Sequence, residues 1–265
     1  MEIITSADNR AVKQTAALQQ KKYRDAEGLF VIEGEKFTRE IPPGWPVRYF
    51  MLSDAYAAVN DASRYEARAK TYNVPERVFA KMSNAAAPQG VLAVCEKKEM
   101  PVSDILRTDS FVVMLSGVND PGNAGTLIRT AYAGGAGGVV ADSSCADVYN
   151  PKTLQASAGA VFHIPVACGA DARETIKLFN ISGFMTAAAD IKAETYPYLL
   201  DFTKKCVIII GNESHGLAPD AVSLCKSRVK IPMPGGAESL NAAVAGGVLI
   251  YEAARQRLPM FTGER

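Results

Sequence analysis

Five short apolar segments in the second half of the sequence constrain its fold more than any other feature. Each segment is apolar on both faces, and helix-like stretches separate them. Strands of this kind are buried on both sides, which is typical of a parallel sheet covered by helices. We therefore predict an α/β fold with an open parallel sheet. The predicted strands are 111–116, 137–141, 162–167, 183–189 and 206–211, and the predicted helices are 123–134, 150–159, 171–180 and 239–256.

A polar stretch at residues 95–110 separates this half from a smaller N-terminal α/β region. The stretch contains charged residues and Pro101 and has no sustained apolar face. We therefore predict a first domain at 1–98, a linker at 99–108 and a second domain at 109–265. In the first domain the pattern predicts a helix around 9–20 and strands near 29–32, 47–52 and 90–94.

Composition excludes several classes of protein. The formal net charge of +1 carries no global signature of nucleic-acid binding. No segment approaches the roughly 20 apolar residues of a membrane-spanning helix, and the first residues do not resemble a secretory signal, so we expect a cytoplasmic protein. The five cysteines are scattered without C-x-x-C spacing, and the chain has two histidines. We expect reduced core cysteines and no metal site.

The first predicted helix and the residues after it contain a local basic cluster with few acidic neighbours. Such a cluster can contact phosphate groups, or it can be an ordinary solvated helix face, and the sequence leaves both interpretations open. Its residues are Arg10, Lys13, Lys21, Lys22 and Arg24.

Ligands of open α/β sheets bind in loops beyond the carboxyl ends of the strands. The first such loop, within residues 115–130, is rich in glycine and leads into a helix, an arrangement that can bind an anion. Its glycine spacing does not match the dinucleotide-binding pattern G-x-G-x-x-G. Asn123 precedes Arg129 by six residues, which places an amide and a guanidinium near the loop. The alternative is that Asn123 caps the helix and Arg129 is a surface charge.

Two further loops have unusual sequences. After the very apolar strand 206–211, Gly211, Asn212 and Glu213 follow directly, and a carboxylate there needs a function or a partner. Capping of the next helix or a pair with a lysine is the alternative for Glu213.

The third loop follows a predicted strand near 229–231 and leads into a long helix from about Leu240. Prolines and a pair of glycines, Gly235 and Gly236, interrupt it. Ser239 is expected to cap the helix, whereas capping does not explain Asn241 or the paired glycines, which suggest a ligand close to the backbone.

Together the three loops contain N-x-x-x-x-x-R, G-N-E-x-x-G-L and I-P-M-x-G-x-x-x-S-L-N, in this order and each at a strand end. They resemble the three motifs of the SpoU-family (TrmH-like) RNA 2′-O-ribose methyltransferases of the SPOUT superfamily. The N-terminal half is similar to the family's accessory RNA-binding domain through NRAVKQTAAL, GLFVIEGEK and SNAAAPQGVLAV. The resemblance implies a SPOUT domain with a trefoil knot, S-adenosyl-L-methionine as cofactor, structured RNA as substrate and a homodimer.

The resemblance also assigns residues by position. It assigns catalysis to Arg129, Asn123, Glu213, Ser239 and Asn241, and cofactor binding to Gly211, Asn212, Ile231, Met233, Ser239 and Leu240. In the family an arginine at the position of Arg129 is proposed as the general base, yet a guanidinium stays protonated in proteins. The alternative is that Arg129 holds a phosphate and stabilises the developing alkoxide, with Glu213 fixing its orientation.

Ribosomal RNA is the expected substrate, and transfer RNA is the alternative within this class. A non-catalytic RNA-binding protein that keeps the fold is an alternative from another class. A nucleotide-dependent oxidoreductase is disfavoured by the glycine spacing. The sequence does not separate housekeeping modification from antibiotic resistance.

Overall fold

The computed structural model describes residues 1–258, which form two compact units. Unit 1 comprises Met1–Lys98 and Tyr149–Gln155, and unit 2 comprises Glu99–Val148 and the chain from Ala156 onward. The segment 149–155, which lies inside the predicted second domain, joins unit 1 because the ring of Tyr149 packs on Phe30 with a centroid distance of 4.6 Å. No helix in the described part of the chain is long and apolar enough to cross a membrane.

Unit 1 is an α/β unit around a five-stranded mixed sheet, in the order β1-β4-β3-β5-β2. Strands β1, β4 and β3 pair in parallel, whereas β5 pairs antiparallel with both β3 and β2. The structure confirms the predicted first helix and the three predicted strands. The strands are β1 (Glu2–Ile3), β2 (Leu29–Glu33), β3 (Val47–Ser53), β4 (Lys70–Val74) and β5 (Val91–Glu96), and the helices are α1 (Arg10–Ala17), α2 (Lys21–Glu27), α3 (Glu35–Glu40), α4 (Asp54–Val59), α5 (Ser63–Glu66) and α6 (Glu76–Phe79).

Unit 2 contains six parallel strands in the order β11-β9-β10-β6-β7-β8, with helices around them. This confirms the predicted α/β class, while the trefoil knot stays a prediction. The strands are β6 (Val112–Leu115), β7 (Gly138–Asp142), β8 (Val166–Ala170), β9 (Met185–Ala189), β10 (Cys206–Ile210) and β11 (Ser227–Val229), and the helices are α7 (Val102–Ile105), α8 (Pro121–Ala133), α10 (Ala172–Ile181), α11 (Pro219–Leu224) and α12 (Ala242–Arg257). Helix α9 (Pro151–Ser157) begins in unit 1 and ends in unit 2.

The centre of this sheet is the pair β6 and β10, all of whose residues are buried. From β6 the chain continues to its neighbour β7 on one side, and it returns later as β10 on the other side. The strand order therefore reverses beside β6, which is where an open α/β sheet has its ligand crevice. Helix α7 lies inside the predicted linker, and its Ile105 is buried in the core of unit 2.

One predicted strand was misplaced. The strand predicted at 162–167 starts later in the structure, because residues 160–162 form a 3-10 turn and β8 begins at Val166. The turn starts at Gly159, whose φ of 88° is left-handed. Because the side chains of the turn are as buried as those of a strand, an apolar run alone could not separate the two structures.

The five cysteines, all within the described residues, form no disulfide bond. Burial raises the pKa of Cys95 to about 12 and that of Cys206 to about 11, which makes these two thiols inert. The expectation of a core position is wrong for Cys168, which is exposed because β8 is an edge strand of the sheet.

Two adjacent glycines of α12 give a test of how this helix packs on α8. A Cβ at Gly246 would lie 2.2 Å from Cδ2 of the buried Leu127, whereas a Cβ at Gly247 would meet only Thr130 Cγ2, at 3.9 Å. We expect Gly246→Ala to lower the free energy of unfolding by about 1–3 kcal/mol through overpacking. Gly247→Ala, the matched control, should raise it by about 0.5–1 kcal/mol through helix propensity. Urea denaturation measures both, and equal effects would contradict the packing.

Candidate active site

Three predicted catalytic residues from distant parts of unit 2 form one hydrogen-bonded cluster. Nδ2 of Asn123 donates to Oε1 of Glu213 at 2.9 Å, and Nδ2 of Asn241 donates to Oδ1 of Asn123 at 3.0 Å. Asn123 lies near the start of α8, Glu213 lies just after β10, and Asn241 immediately precedes α12. The carboxyl ends of β6 and β10 meet at one edge of the sheet, and this brings the three side chains together.

The amide of Asn123 can bridge because another residue caps its helix. Oδ1 of Asp120 accepts from the backbone N–H of Asn123 at 2.7 Å, and Pro121 occupies the first helical position. The alternative interpretation of Asn123 as the cap is therefore wrong. Both ends of its amide are left for the side chains of the other two loops.

Asn241 has two tasks in the structure. Its Oδ1 accepts from the backbone N–H groups of Ala243 and Val244 at 2.9 and 3.2 Å, which caps α12, while its Nδ2 holds Asn123. The expectation that Ser239 caps this helix is wrong, as is the expectation that capping does not explain Asn241. Residues 239 and 240 precede the cap, and Ser239 is exposed at the cleft described below.

Asn212 shapes the loop that carries Glu213. Its backbone N–H and C=O pair with Gly216 at 3.0 and 2.9 Å, and its Oδ1 accepts from the N–H groups of Ser214 and His215 at 2.9 and 3.1 Å. The turn is so tight that a Cβ on the residue before it, Gly211, would lie 2.4 Å from backbone atoms of Gly216 and Leu217. Position 211 therefore requires glycine.

A cleft of about 1590 Å³ adjoins the cluster in unit 2. Half-buried apolar side chains line it, among them Ile231, Met233 and Leu240, next to the backbone of a loop interrupted by prolines and glycines. Apolar side chains beside exposed backbone groups suit a nucleoside with an attached amino acid, so the lining fits S-adenosyl-L-methionine. All six predicted cofactor residues line this cleft: Gly211, Asn212, Ile231, Met233, Ser239 and Leu240.

Three residues that the sequence patterns did not predict also line the cleft. Arg228 forms an ion pair with Asp190 at 2.7 Å, and Tyr196 lies nearby in the lining. Asp190 directly follows β9, so the rule that ligands bind beyond strand ends could have found it, and Arg228 lies within β11 as its partner.

Arg129 is not joined to the cluster. It is exposed on α8, and within residues 1–258 its side chain makes neither a hydrogen bond nor an ion pair. Glu213 accepts from Asn123 in this structure, which leaves the proposed orientation of Arg129 by Glu213 without a contact.

The predicted basic cluster of unit 1 is only partly available to a ligand. Arg10 is exposed, and Lys22 lies over the ring of Tyr23 at 4.7 Å. Lys13 pairs with Asp8 at 2.7 Å, and Lys21 pairs with Asp25 at 2.7 Å. Hydrogen bonds from Lys21 and Lys97 lower the pKa of Asp25 to about 2.

The assignment of Arg24 to RNA binding is wrong. Its side chain is 1% exposed, and Nη1 donates to the carbonyl oxygens of Leu18 and Gln19 at 2.8 and 2.9 Å. These carbonyls end α1 and would otherwise lack partners. Arg24 therefore satisfies a helix end and is not available to a phosphate.

In the described part of the chain, His, Cys, Asp and Glu side chains form no group of three that could hold a metal ion.

Two family models match the sequence. Residues 110–251 match the SpoU rRNA Methylase family, and residues 9–93 match an MRM3-like substrate binding domain.

Known proteins are similar to nearly the whole chain. It is 32% identical over 269 residues to the 23S rRNA (uridine(2479)-2′-O)-methyltransferase of Streptomyces viridochromogenes, covering 96% of this chain and 92% of that protein. It is 33% identical over 256 residues to the 23S rRNA (guanosine(2553)-2′-O)-methyltransferase RlmP of Bacillus subtilis, covering 95% and 98%. The crystal structure of an AdoMet-bound rRNA methyltransferase from Sinorhizobium meliloti superposes with a TM-score of 0.87 at 32% identity, covering 97% and 98%.

The parallel sheet, the cleft with its polar cluster and these similarities define a methyltransferase that uses S-adenosyl-L-methionine. The chain belongs to the SpoU rRNA methylase family, as its three motifs predicted, and it is an RNA 2′-O-methyltransferase.

The two tasks of Asn241 can be separated by mutation. Asn241→Ala removes both the cap and the bridge to Asn123, and we expect it to cost about 1 kcal/mol of stability and about 10²-fold in methyl transfer. Asn241→Ser restores a capping oxygen but no amide donor, so it should recover stability without activity. Thermal unfolding and transfer of tritiated methyl groups measure the two effects. Full activity of Asn241→Ser would contradict a role for the bridge.

Proposed function

We propose that this protein methylates the 2′-hydroxyl of one ribose in ribosomal RNA, in the RNA of the large subunit. The observation that carries the proposal is the cluster of Asn123, Glu213 and Asn241 beside the cleft. Two relatives that are 32% and 33% identical over nearly the whole chain are both 23S rRNA 2′-O-methyltransferases, which supports this substrate over transfer RNA. We place the reaction in the cytoplasm.

We propose that the cleft residues hold the cofactor, with Ile231, Met233 and Leu240 against its apolar parts and the backbone near Gly211 and Asn212 against its polar groups. Ser239 faces the same cleft. When bound, S-adenosyl-L-methionine supplies an electrophilic methyl group on a sulfonium. The protein must then orient the ribose hydroxyl and accept its proton.

We propose that Glu213 accepts the proton of the ribose hydroxyl. Its Oε1 accepts from Asn123, which fixes the carboxylate and leaves Oε2 for the hydroxyl group of the substrate. The two asparagines have no group that accepts a proton at neutral pH, and a guanidinium stays protonated. In this scheme Asn123 and Asn241 hold Glu213 in place.

We assign a phosphate contact to Arg129. It is exposed, and a planar guanidinium binds phosphate oxygens through two parallel hydrogen bonds. The phosphate beside the target ribose is the group that it would hold. Arg129 would then stabilise the negative charge that develops on the ribose oxygen.

Two substitutions of Arg129 separate these roles. Arg129→Ala should lower turnover by at least about 10²-fold, because positioning of the ribose is lost. Arg129→Lys keeps a charge but not the paired contact, so we expect partial activity without recovery as the pH rises. The pH dependence of kcat/KM measures this. Strong recovery of Arg129→Lys at raised pH would instead support proton abstraction by this residue.

Unit 1 supports binding of the RNA. We propose residues 1–98 as the substrate-binding domain, 99–108 as the linker and 109–265 as the catalytic domain. The match of residues 9–93 to a substrate binding domain supports this division. The exposed basic side chains Arg10, Lys13, Lys21 and Lys22 are the proposed phosphate contacts.

We propose that the protein is a homodimer that pairs through α12. Val244, Val248 and Tyr251 are 53%, 42% and 56% exposed, and their spacing of four and three residues places them on one face of the helix. An exposed apolar stripe of this kind is typical of a protein interface. Sedimentation equilibrium measures the oligomeric state.

Incubation with tritiated S-adenosyl-L-methionine and separate pools of undermodified ribosomal and transfer RNA tests the substrate. We expect label in large-subunit RNA, at one nucleotide that resists alkaline cleavage because its 2′-hydroxyl is blocked. Label in transfer RNA alone would contradict the substrate. Failure to bind the cofactor in calorimetry would contradict the methyl-transfer scheme.

A further inference from the structure

Asp142 is a buried carboxylate at the carboxyl end of β7, outside all three sequence motifs. It is 6% exposed, and it accepts hydrogen bonds from Ser116, Gly117 and Ser144. Its Oδ2 accepts from Oγ of Ser116 at 2.6 Å, and its Oδ1 accepts from the N–H of Gly117 at 3.2 Å. Oδ1 also accepts from the N–H and Oγ of Ser144 at 2.9 and 2.6 Å. The carboxylate therefore fastens the start of the loop between β6 and α8 to the end of β7.

The contacts of Asp142 favour its charged form. Burial alone would raise the pKa of Asp142, but the hydrogen bonds from Ser116, Ser144 and Gly117 outweigh it and hold the pKa below the usual value. The side chain is therefore an anion at neutral pH, which can accept from all four donors at once.

Hydrogen bonds connect Asp142 to the active site through Gly117 and Asn212. The carbonyl oxygen of Gly117, the residue whose N–H binds Asp142, accepts from Nδ2 of Asn212 at 2.8 Å. Asn212 in turn holds the loop that carries Glu213, through Ser214 and His215. Gly117 thus joins the loop after β6 to the loop after β10, in addition to the contact of Asn123 with Glu213.

We propose that Asp142 is a positioning residue for methyl transfer, which fixes Gly117 and, through Asn212, sets the place of Glu213 and of the cofactor cleft. The proposal rests on the roles proposed above for Glu213 and Asn212. Asp142 acts on the reaction only through these residues, because its own side chain is turned into the protein. Its loss should therefore reduce kcat and cofactor affinity together.

A double-mutant cycle tests the path. Asp142→Ala should lower kcat at least 30-fold and weaken the Kd for S-adenosyl-L-methionine several-fold. In the background of Asn212→Ala, which already breaks the contact with Gly117, the same substitution should lower kcat no more than about 3-fold, because residues that act through one network are not additive. Equal factors in both backgrounds would overturn the proposal.

Controls separate positioning from loss of stability. Asp201 is a control because its carboxylate accepts from the N–H and Oγ1 of Thr203, just as that of Asp142 accepts from the N–H and Oγ of Ser144. Unlike Asp142, Asp201 is exposed and precedes β10. Asp201→Ala should leave kcat unchanged. Ile176→Val, in the core between α10 and the sheet, should lower Tm without changing kcat of the folded protein. A fall in kcat for Ile176→Val as large as that for Asp142→Ala would overturn the proposal.

A second variant and a measurement without RNA complete the test of Asp142. If Asp142→Ala does not fold, Asp142→Asn keeps the volume and one acceptor oxygen, and it should show a smaller loss with the same dependence on Asn212. Calorimetry with S-adenosyl-L-methionine needs no RNA. A wild-type protein that binds the cofactor but labels no RNA would therefore count against the proposed substrate. The role of Asp142 would still be tested by the Kd for S-adenosyl-L-methionine, measured for the two single variants and the double variant of Asp142 and Asn212.

Discussion

The parallel pairing of β6 with β10 is the interaction on which the rest of the catalytic unit depends. Val112 to Leu115 align with Val207 to Ile210 in an unbroken register at the centre of the sheet. Both strands are apolar on both faces, so a shift in register would leave buried apolar side chains and backbone groups without partners. This register places the loops after the two strands side by side, and each loop contributes a polar residue to the site.

The side chains of the polar cluster link the loops that this sheet brings together. Each asparagine amide has a donor end and an acceptor end, and in Asn123 and Asn241 both ends are bonded within the site. Asn241 also caps α12, so the position of Asn123 and the start of a helix depend on the same side chain. A substitution that removes the whole amide therefore changes the stability of the protein and the geometry of the cluster at once.

Sequence patterns predicted the parts of this structure that depend on local chemistry. The strands β6 and β10, the glycine turn at Gly211 and the three motifs could be found because apolar runs, turns and spacing are local properties. The predictions from sequence were wrong where long-range contacts determine the structure. Two examples are the burial of Arg24 against the end of α1 and the turn at 160–162, because both depend on packing that no local pattern encodes. The strand order and the contact of Asp142 with Gly117 likewise join residues distant in sequence.

The proposed mechanism depends on the carboxylate held by Asn123, which accepts the proton of the ribose hydroxyl. Glu213→Gln keeps an oxygen for Asn123 but removes the basic group, and single-turnover methylation of undermodified large-subunit RNA measures the consequence directly. We expect a rate at least about 10²-fold below that of the wild-type protein, with unchanged affinity for S-adenosyl-L-methionine. A rate equal to that of the wild-type protein would contradict it.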